Sequence, residues 1–543
     1  MRHRPSLAAL IGIGLVYVAT LRPLISAGAV DVVTFHNDNA RTGQNLNETI
    51  LTPVTVSASA FGKVALLTLD GKVDAQPLYL SGVALPGQGT HNLLYIATEH
   101  DSVYAIDADT GSTIWHTSML ASGETPSDAR GCSQVIPEIG VTATPVIDRL
   151  RGPNGAIYLV AMSKTATGGY VQRMHALDVT SGAELFGGPK DVHATYPGSG
   201  AGSAGGVLTF DPKQYEERAA LLLLNGTVVT AWTSHCDIDP YTGWIMSFDA
   251  NTLAQLSVLN VTPNGSRGAF WMAGDGPAAD ASGNIYLLDG NGTFDAALDG
   301  NGLPTQSNYG NGFLKIGSTS GLSVVDYFEM SNSVAESNAD QDLGSGGSLL
   351  LPDLMDASGR TRHLAVGAGK DAHIYVVDRD AMGKWNPNSN QSYQDITGAL
   401  SGGVFSTPAY FDGTIYYAAV GDALKAFPIA AARVSGTPAS RSARAFAYPG
   451  ATPAISASGT SNAIVWAVEN GSPAVLHAYD ARDLTRELYN STQAAGGRDA
   501  FGAGNKFVVP TIVNGRVYVG TGTGVAVFGR LAPLPPTNVR IVP

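Results

Sequence analysis

Apolar and polar residues alternate along most of the chain in short runs broken by Gly, Pro, Asp or Asn, which is the period of half-buried β-strands. One compound pattern recurs: an apolar run ending in Asp, a Ser/Thr-Gly turn, then an aromatic. The clearest copy is Ala105-Ile106-Asp107-Ala108-Asp109-Thr110-Gly111 followed by Trp115, and the second is Ala176-Leu177-Asp178-Val179-Thr180-Ser181-Gly182 followed by Phe186. Weaker copies centre on Asp249, Gly317, Asp378, Pro428, Asp480 and Gly529, a spacing of ~50–70 residues that makes eight units. Each unit reads as a short strand near a Pro, a second apolar strand such as Leu94-Tyr95-Ile96 or Ile157-Tyr158-Leu159, the Asp-ending strand, and a fourth after the turn. Four strands per unit describe a propeller blade.

The last unit, Val508 to Gly529, supplies only three strands. Gly62 to Leu69 offers the missing outer one, so strands from both ends of the repeat region are expected to close the ring and remove its open edges. The sequence therefore predicts an all-β, eight-bladed propeller of four-stranded antiparallel blades over 61–530. An extended segment precedes it at 30–60, and a Pro-rich tail or linker follows at 531–543.

Composition agrees with this fold and narrows the function. The chain has 543 residues, 65 of them Gly and 29 Pro, and only 14% are charged, so there are many turns and few charged helix faces. The net charge of −13 leaves no basic surface to collect phosphates, which excludes nucleic acid as a partner. Residues 1–29 read as a secretory signal: Arg2, His3 and Arg4, an apolar run from Leu7 to Leu21, then Ala27-Gly28-Ala29 as a cleavage pattern. Arg22 and Pro23 cut that run short of the ~20 residues a spanning helix needs, so no stable membrane span is expected and the protein is read as exported, to the periplasm or the exterior.

In a four-stranded blade the second-to-third strand loops and the blade connections share one face. The long loops at 119–140, 231–241, 289–311, 331–346, 386–401 and 491–506 all fall there, so binding is expected on that face. Cys132 and Cys236 lie on it in adjacent blades, and an oxidising compartment permits their pairing as a disulfide. His235-Cys236-Asp237 reads as packing rather than a metal cluster, because consecutive residues point apart. Asp289-Gly290-Asn291-Gly292, repeated as Asp299-Gly300-Asn301-Gly302, offers oxygens for calcium, though two hairpin-like turns account for the same letters.

The Ala105-to-Trp115 motif resembles the repeat of the pyrroloquinoline-quinone (PQQ) propellers, and the resemblance spans about residues 36–530. Blades four and five are similar to the quinoprotein alcohol dehydrogenases, with Trp271, then Gly290-Asn291-Gly292, then Asp340-Gln341-Asp342, then Lys370 before Tyr375-Val376-Val377-Asp378-Arg379. The resemblance implies Trp271 as quinone floor, Asn291 as calcium ligand, Asp340 (or Asp342) as general base and Lys370 as a partner to the quinone oxygens. This chain departs from the family where Ala339 replaces the Trp before the base and where the adjacent Cys-Cys pair is missing. The family's calcium-ligating Glu is matched only by Asp237 or Asp239, and no haem site is present. The departures favour an exported binding or scaffold propeller that takes a protein, glycan or small ligand on its long-loop face without a cofactor. The alternative is a PQQ- and calcium-dependent dehydrogenase of an alcohol or sugar.

Overall fold

A computed structural model describes residues 30–531; the signal-peptide reading and all of the Pro-rich tail except Leu531 lie outside them. The repeats fold as eight blades around one axis. Blade one is Leu78–Leu85, Gly89–Ala97, Ser102–Asp107 and Thr113–Ser118, antiparallel throughout. Among the described residues no helix is long and apolar enough to cross a membrane.

The repeated Asp is a turn-former. Asp107 Oδ1 accepts the backbone N–H groups of Asp109 and Thr110 at 3.0 and 2.8 Å, and Asp178 Oδ1 accepts those of Thr180 and Ser181 at 2.9 and 3.1 Å. Gly182, at φ 68°, lies so close to Trp115 that a Cβ would come within 2.5 Å of the indole. The second-strand tyrosines use the same turns to pin neighbouring blades. Tyr95 donates to Val179 O at 3.0 Å, Tyr158 to Ala250 O at 2.7 Å and Tyr416 to Ala481 O at 2.8 Å, each carbonyl following the turn Asp of the next blade.

Blade eight closes as the strand count requires. Phe61–Thr68 lies antiparallel to Gly524–Arg530, with Phe61 opposite Arg530 and Thr68 opposite Gly524. Blade two departs from the four-strand expectation, because its outer strand shrinks to Lys190–Asp191. Phe186 at φ 56° and the Gly187-Gly188-Pro189 sequence after it break the extended conformation there. In blade three the first strand is split into Tyr215–Glu217 and Leu222–Leu224.

Residues 30–60 are not a mere leader to the ring, since their first half threads its hub. Val32 exchanges two 2.8 Å hydrogen bonds with Tyr79 of blade one, and Ile147 of blade two donates to Val33 O. Ala279, Leu350, Tyr410 and Ile455, from blades four to seven, donate to the carbonyls of Asn39, Ala40, Thr42 and Gly43 at 2.7–2.9 Å. The Asn39 and Asn45 amides reach Leu223 O of blade three and Ile512 O of blade eight, each at 2.9 Å. One strap thus bonds to the innermost strand of every blade, satisfying backbone groups that the sheets leave facing the axis.

Arg41 anchors the strap. It is fully buried and donates to Thr34 Oγ1, Phe35 O and Pro277 O at 2.8, 2.9 and 3.1 Å, and Asp275, when ionised, is the acid that acts on it most strongly. Arg41→Ala is expected to cost about 3–5 kcal/mol in urea unfolding, the cost of breaking a buried charge arrangement from one side. Burial raises the Asp275 carboxyl from 3.8 to about 7, with Arg41 opposing the shift. The folded protein therefore keeps a proton that the unfolded chain releases. That contribution to stability is full below about pH 4 and is lost as pH rises toward 7. Asp275→Asn should flatten this slope when urea midpoints are compared between about pH 4.5 and 7.5.

Candidate functional site

A cleft opens at the axis on the long-loop face and encloses about 590 Å³, mouth included. Five side chains singled out in the sequence line it: Asp237, Trp271, Asn291, Asp342 and Lys370. They come from separate loops of blades three to five, so the fold is what brings them together.

Asp237 organises one wall. Cys236 and Asp237 both take positive φ, 55° and 52°, at the end of the second strand of blade three. Asp237 Oδ1 then accepts Tyr241 O–H at 2.8 Å, Ser234 Oγ at 3.1 Å and Trp271 Nε1 at 3.2 Å. Its Oδ2 takes no protein donor among the described residues. Asp239, the other acid the sequence offered here, pairs with Arg267 at 2.8 Å on the rim of a neighbouring groove instead. Met272, Ala273 and Gly274 follow Trp271 at φ 45°, 52° and 82°. Left-handed backbone in successive non-glycine residues is costly, and two of the four such pairs among the described residues, Cys236-Asp237 and Met272-Ala273, stand beside this cleft.

The opposite wall is an acid–amide–lysine network. Asn291 donates from Nδ2 to Asp340 Oδ1 at 2.7 Å, while its own Oδ1 is buried without a hydrogen-bond partner. Lys370 Nζ stands 2.5 Å from Asp340 Oδ1 and 2.6 Å from Asp342 Oδ1. The two aspartates are unlike: the Asp340 side chain is 73% exposed and that of Asp342 only 3%. Asp342 faces the cleft, and Asp340 caps the network from the rim. Burial pushes the Asp342 carboxyl up, with Lys370 opposing it. Burial also pulls on Lys370, but Asp342 and Asp340 outweigh it and keep the ammonium protonated. Gly290 lies between the walls: a Cβ there would clash with Ala269 O at 2.7 Å and would stand in ordinary contact with Trp271 Cδ1 and Asp342 Oδ2, at 3.6 and 3.7 Å.

Other candidates fall away. Asp289 is fully buried behind the cleft with neither oxygen partnered, and burial holds its carboxyl well above the usual range. Asp299 Oδ1 accepts the N–H groups of Asn301 and Leu303 at 2.8 and 2.9 Å, which is a hairpin turn. His235 accepts from Arg130 at 3.1 Å and is pushed down to about 4, by burial first and Arg130 second. Among the described residues no three His, Cys, Asp or Glu side chains converge tightly enough to hold a metal alone.

The sequence reading passed over Arg218, Tyr448 and Phe507, which also line the cleft. Arg218 follows Glu216 and Glu217, a charged run that reads as surface, yet all three are buried. Cys132 and Cys236 are disulfide-bonded, with Cα atoms 5.7 Å apart, and tie the blade-two connection to the residue preceding Asp237.

Neither a family model nor a curated protein matches the sequence. Solved structures do match in fold. A quinohemoprotein alcohol dehydrogenase from Comamonas testosteroni superposes with a TM-score of 0.61 at 15% identity, over 93% of this chain and 82% of that one. A quinohemoprotein alcohol dehydrogenase from Pseudomonas putida HK5 gives 0.57 at 13% identity, covering 94% and 82%. A europium-containing methanol dehydrogenase gives 0.56 at 12% identity, covering 92% and 98%. In fold the chain is an eight-bladed propeller of the quinoprotein type.

The cross-link closes a 104-residue span. Replacing both cysteines by Ser should cost about 4–5 kcal/mol in the chain-entropy model, read from chemical unfolding of the oxidised wild type against the double variant.

Proposed function

We propose that the protein is an exported quinoprotein dehydrogenase whose axial cleft takes a planar, anionic quinone of the PQQ class with a calcium ion and oxidises an alcohol or a sugar. The observation that carries this reading is the meeting of Trp271, Asn291, Asp342 and Lys370 around one cleft. The residues present suit such a group. The buried, unpartnered Oδ1 of Asn291 and the free Oδ2 of Asp237 are hard oxygen donors for calcium, whose remaining ligands would come from the quinone and water. The Trp271 indole offers a flat apolar face, and Lys370 offers a charge to the quinone oxygens. An extracytoplasmic site accords with the disulfide.

When bound, the quinone with its cation supplies an acceptor for two electrons. The chain's own work is to hold the alcohol and move its proton. Asp342 is the base: it faces the cleft, and burial raises its affinity for the hydroxyl proton. Lys370 keeps that carboxylate ionised between turnovers, and Asp340 fixes both Lys370 and the Asn291 amide from the rim. Phe405, Tyr448 and Phe507 shield the cleft from bulk water.

A second reading, binding of a protein, glycan or small ligand on the long-loop face without catalysis, draws on one observation: Lys370 already has two aspartates for partners. Calorimetric titration of PQQ with calcium, followed by dye-linked alcohol oxidation, separates the two. Saturable binding that Asn291→Ala weakens about tenfold or more, with turnover lost in Asp342→Asn while binding persists, is the expected result. No heat at high micromolar quinone would leave the non-catalytic reading.

A further inference from the structure

The inner end of the cleft carries two cations with little to hold. Arg218 is 4% exposed, yet its buried Nη1 has no hydrogen-bond partner, and the nearest acid, Glu216 Oε1, is 3.9 Å away. Its guanidinium stacks on the Phe507 ring, 4.6 Å from the centroid. Lys506 lies over Tyr448 at 5.6 Å, with only a long 3.5 Å contact to Gln134 Oε1. Both line a narrow recess that continues from the cleft, with Arg218 and Phe507 common to the two.

The acids nearby do not discharge them. Asp74 stays ionised against the pull of burial, held first by Lys72 at 2.7 Å and less by Arg218, to which it makes no hydrogen bond. Burial and Asp74 push Glu99 well above the usual range, and burial raises Glu216. Lys506 is pulled down by burial first and by Arg218 and Lys72 next, the mark of crowded cations. A buried guanidinium without a partner costs several kcal/mol, a cost that an arriving anion removes.

We propose that Arg218 and Lys506 form a carboxylate-binding subsite at the inner end of the cleft, which seats an acidic group of a flat aromatic ligand. Guanidinium geometry favours a two-pronged grip on carboxylate. The aromatic walls, Phe405, Tyr448 and Phe507, select a ring to carry that group. The subsite deepens the quinone reading, on which only the identity of its ligand rests; the anion chemistry stands on Arg218 itself.

The test uses two probes on the exported protein, PQQ with calcium and benzene-1,3-dicarboxylate, titrated calorimetrically into wild type, Arg218→Gln and Lys506→Gln. Arg218→Gln should weaken both probes about 10- to 100-fold and Lys506→Gln less, with affinity falling as salt rises. Without ligand, Arg218→Gln should melt no lower than wild type, because an unpartnered buried charge is removed. Dicarboxylate binding that needs Arg218, in a protein that ignores PQQ, would uphold the subsite and end the quinone reading. Undiminished PQQ binding in Arg218→Gln would do the reverse. A ligand-free Arg218→Gln that melts well below wild type, or a wild type that binds neither probe, would overturn the subsite.

Discussion

Eight inner strands meet at one axis, each presenting backbone groups there that its own sheet cannot pair, and the fold depends on how those groups are satisfied. A buried amide or carbonyl without a partner costs about 1–3 kcal/mol, so a ring of them could not stand empty and dry. The strap at 32–45 answers every blade in turn, mostly as an acceptor of inner-strand N–H groups. Arg41 holds it from within through four hydrogen bonds at the hub, to Thr34, Phe35, Leu221 and Pro277. The same segment supplies Phe35 to the recess that continues from the cleft, so the device that seals the ring also floors the site.

Above that floor the charges are sorted. Asp237, Asp342 and Asn291 present oxygens on the outer walls, while Arg218 and Lys506 lie at the inner end. In a chain of net charge −13, a buried arginine with an unpartnered Nη1 beside a half-buried lysine is a local exception. On the reading proposed above, a cleft with this polarity would orient a ligand having acidic groups at one end and cation-ligating oxygens at the other. The aromatic rings between them restrict it to a flat shape.

The blades were legible because each repeats one local device: the Asp that accepts the turn amides leaves its letter in every strong copy. Closure was legible for a similar reason, since a blade short of one strand demands another, and Phe61–Thr68 supplies it. The strap left no such trace. Its partners are main-chain groups scattered from Tyr79 to Ile512, and backbone bonding imposes no periodic side-chain pattern. Arg218 was hidden differently, inside Glu216-Glu217-Arg218, where composition points to solvent and the split first strand of blade three carries the run inside. The candidates of blades four and five were legible in order but not in depth. Only the three-dimensional arrangement separates Asp342, in the cleft, from Asp340 on the rim.

Threading the hub with a segment that precedes all eight blades in the chain has a consequence for biosynthesis. Residues 32–45 and 61–68 leave the ribosome before any of the blades they join, yet their partners extend to Ile512 and Arg530. A nascent chain can form single blades as it emerges, but the axial seal and the rim joint both wait for the last blade. Assembly therefore waits for the last blade, and an arc of finished blades remains an open fan until the segment at 32–45 is drawn through the middle.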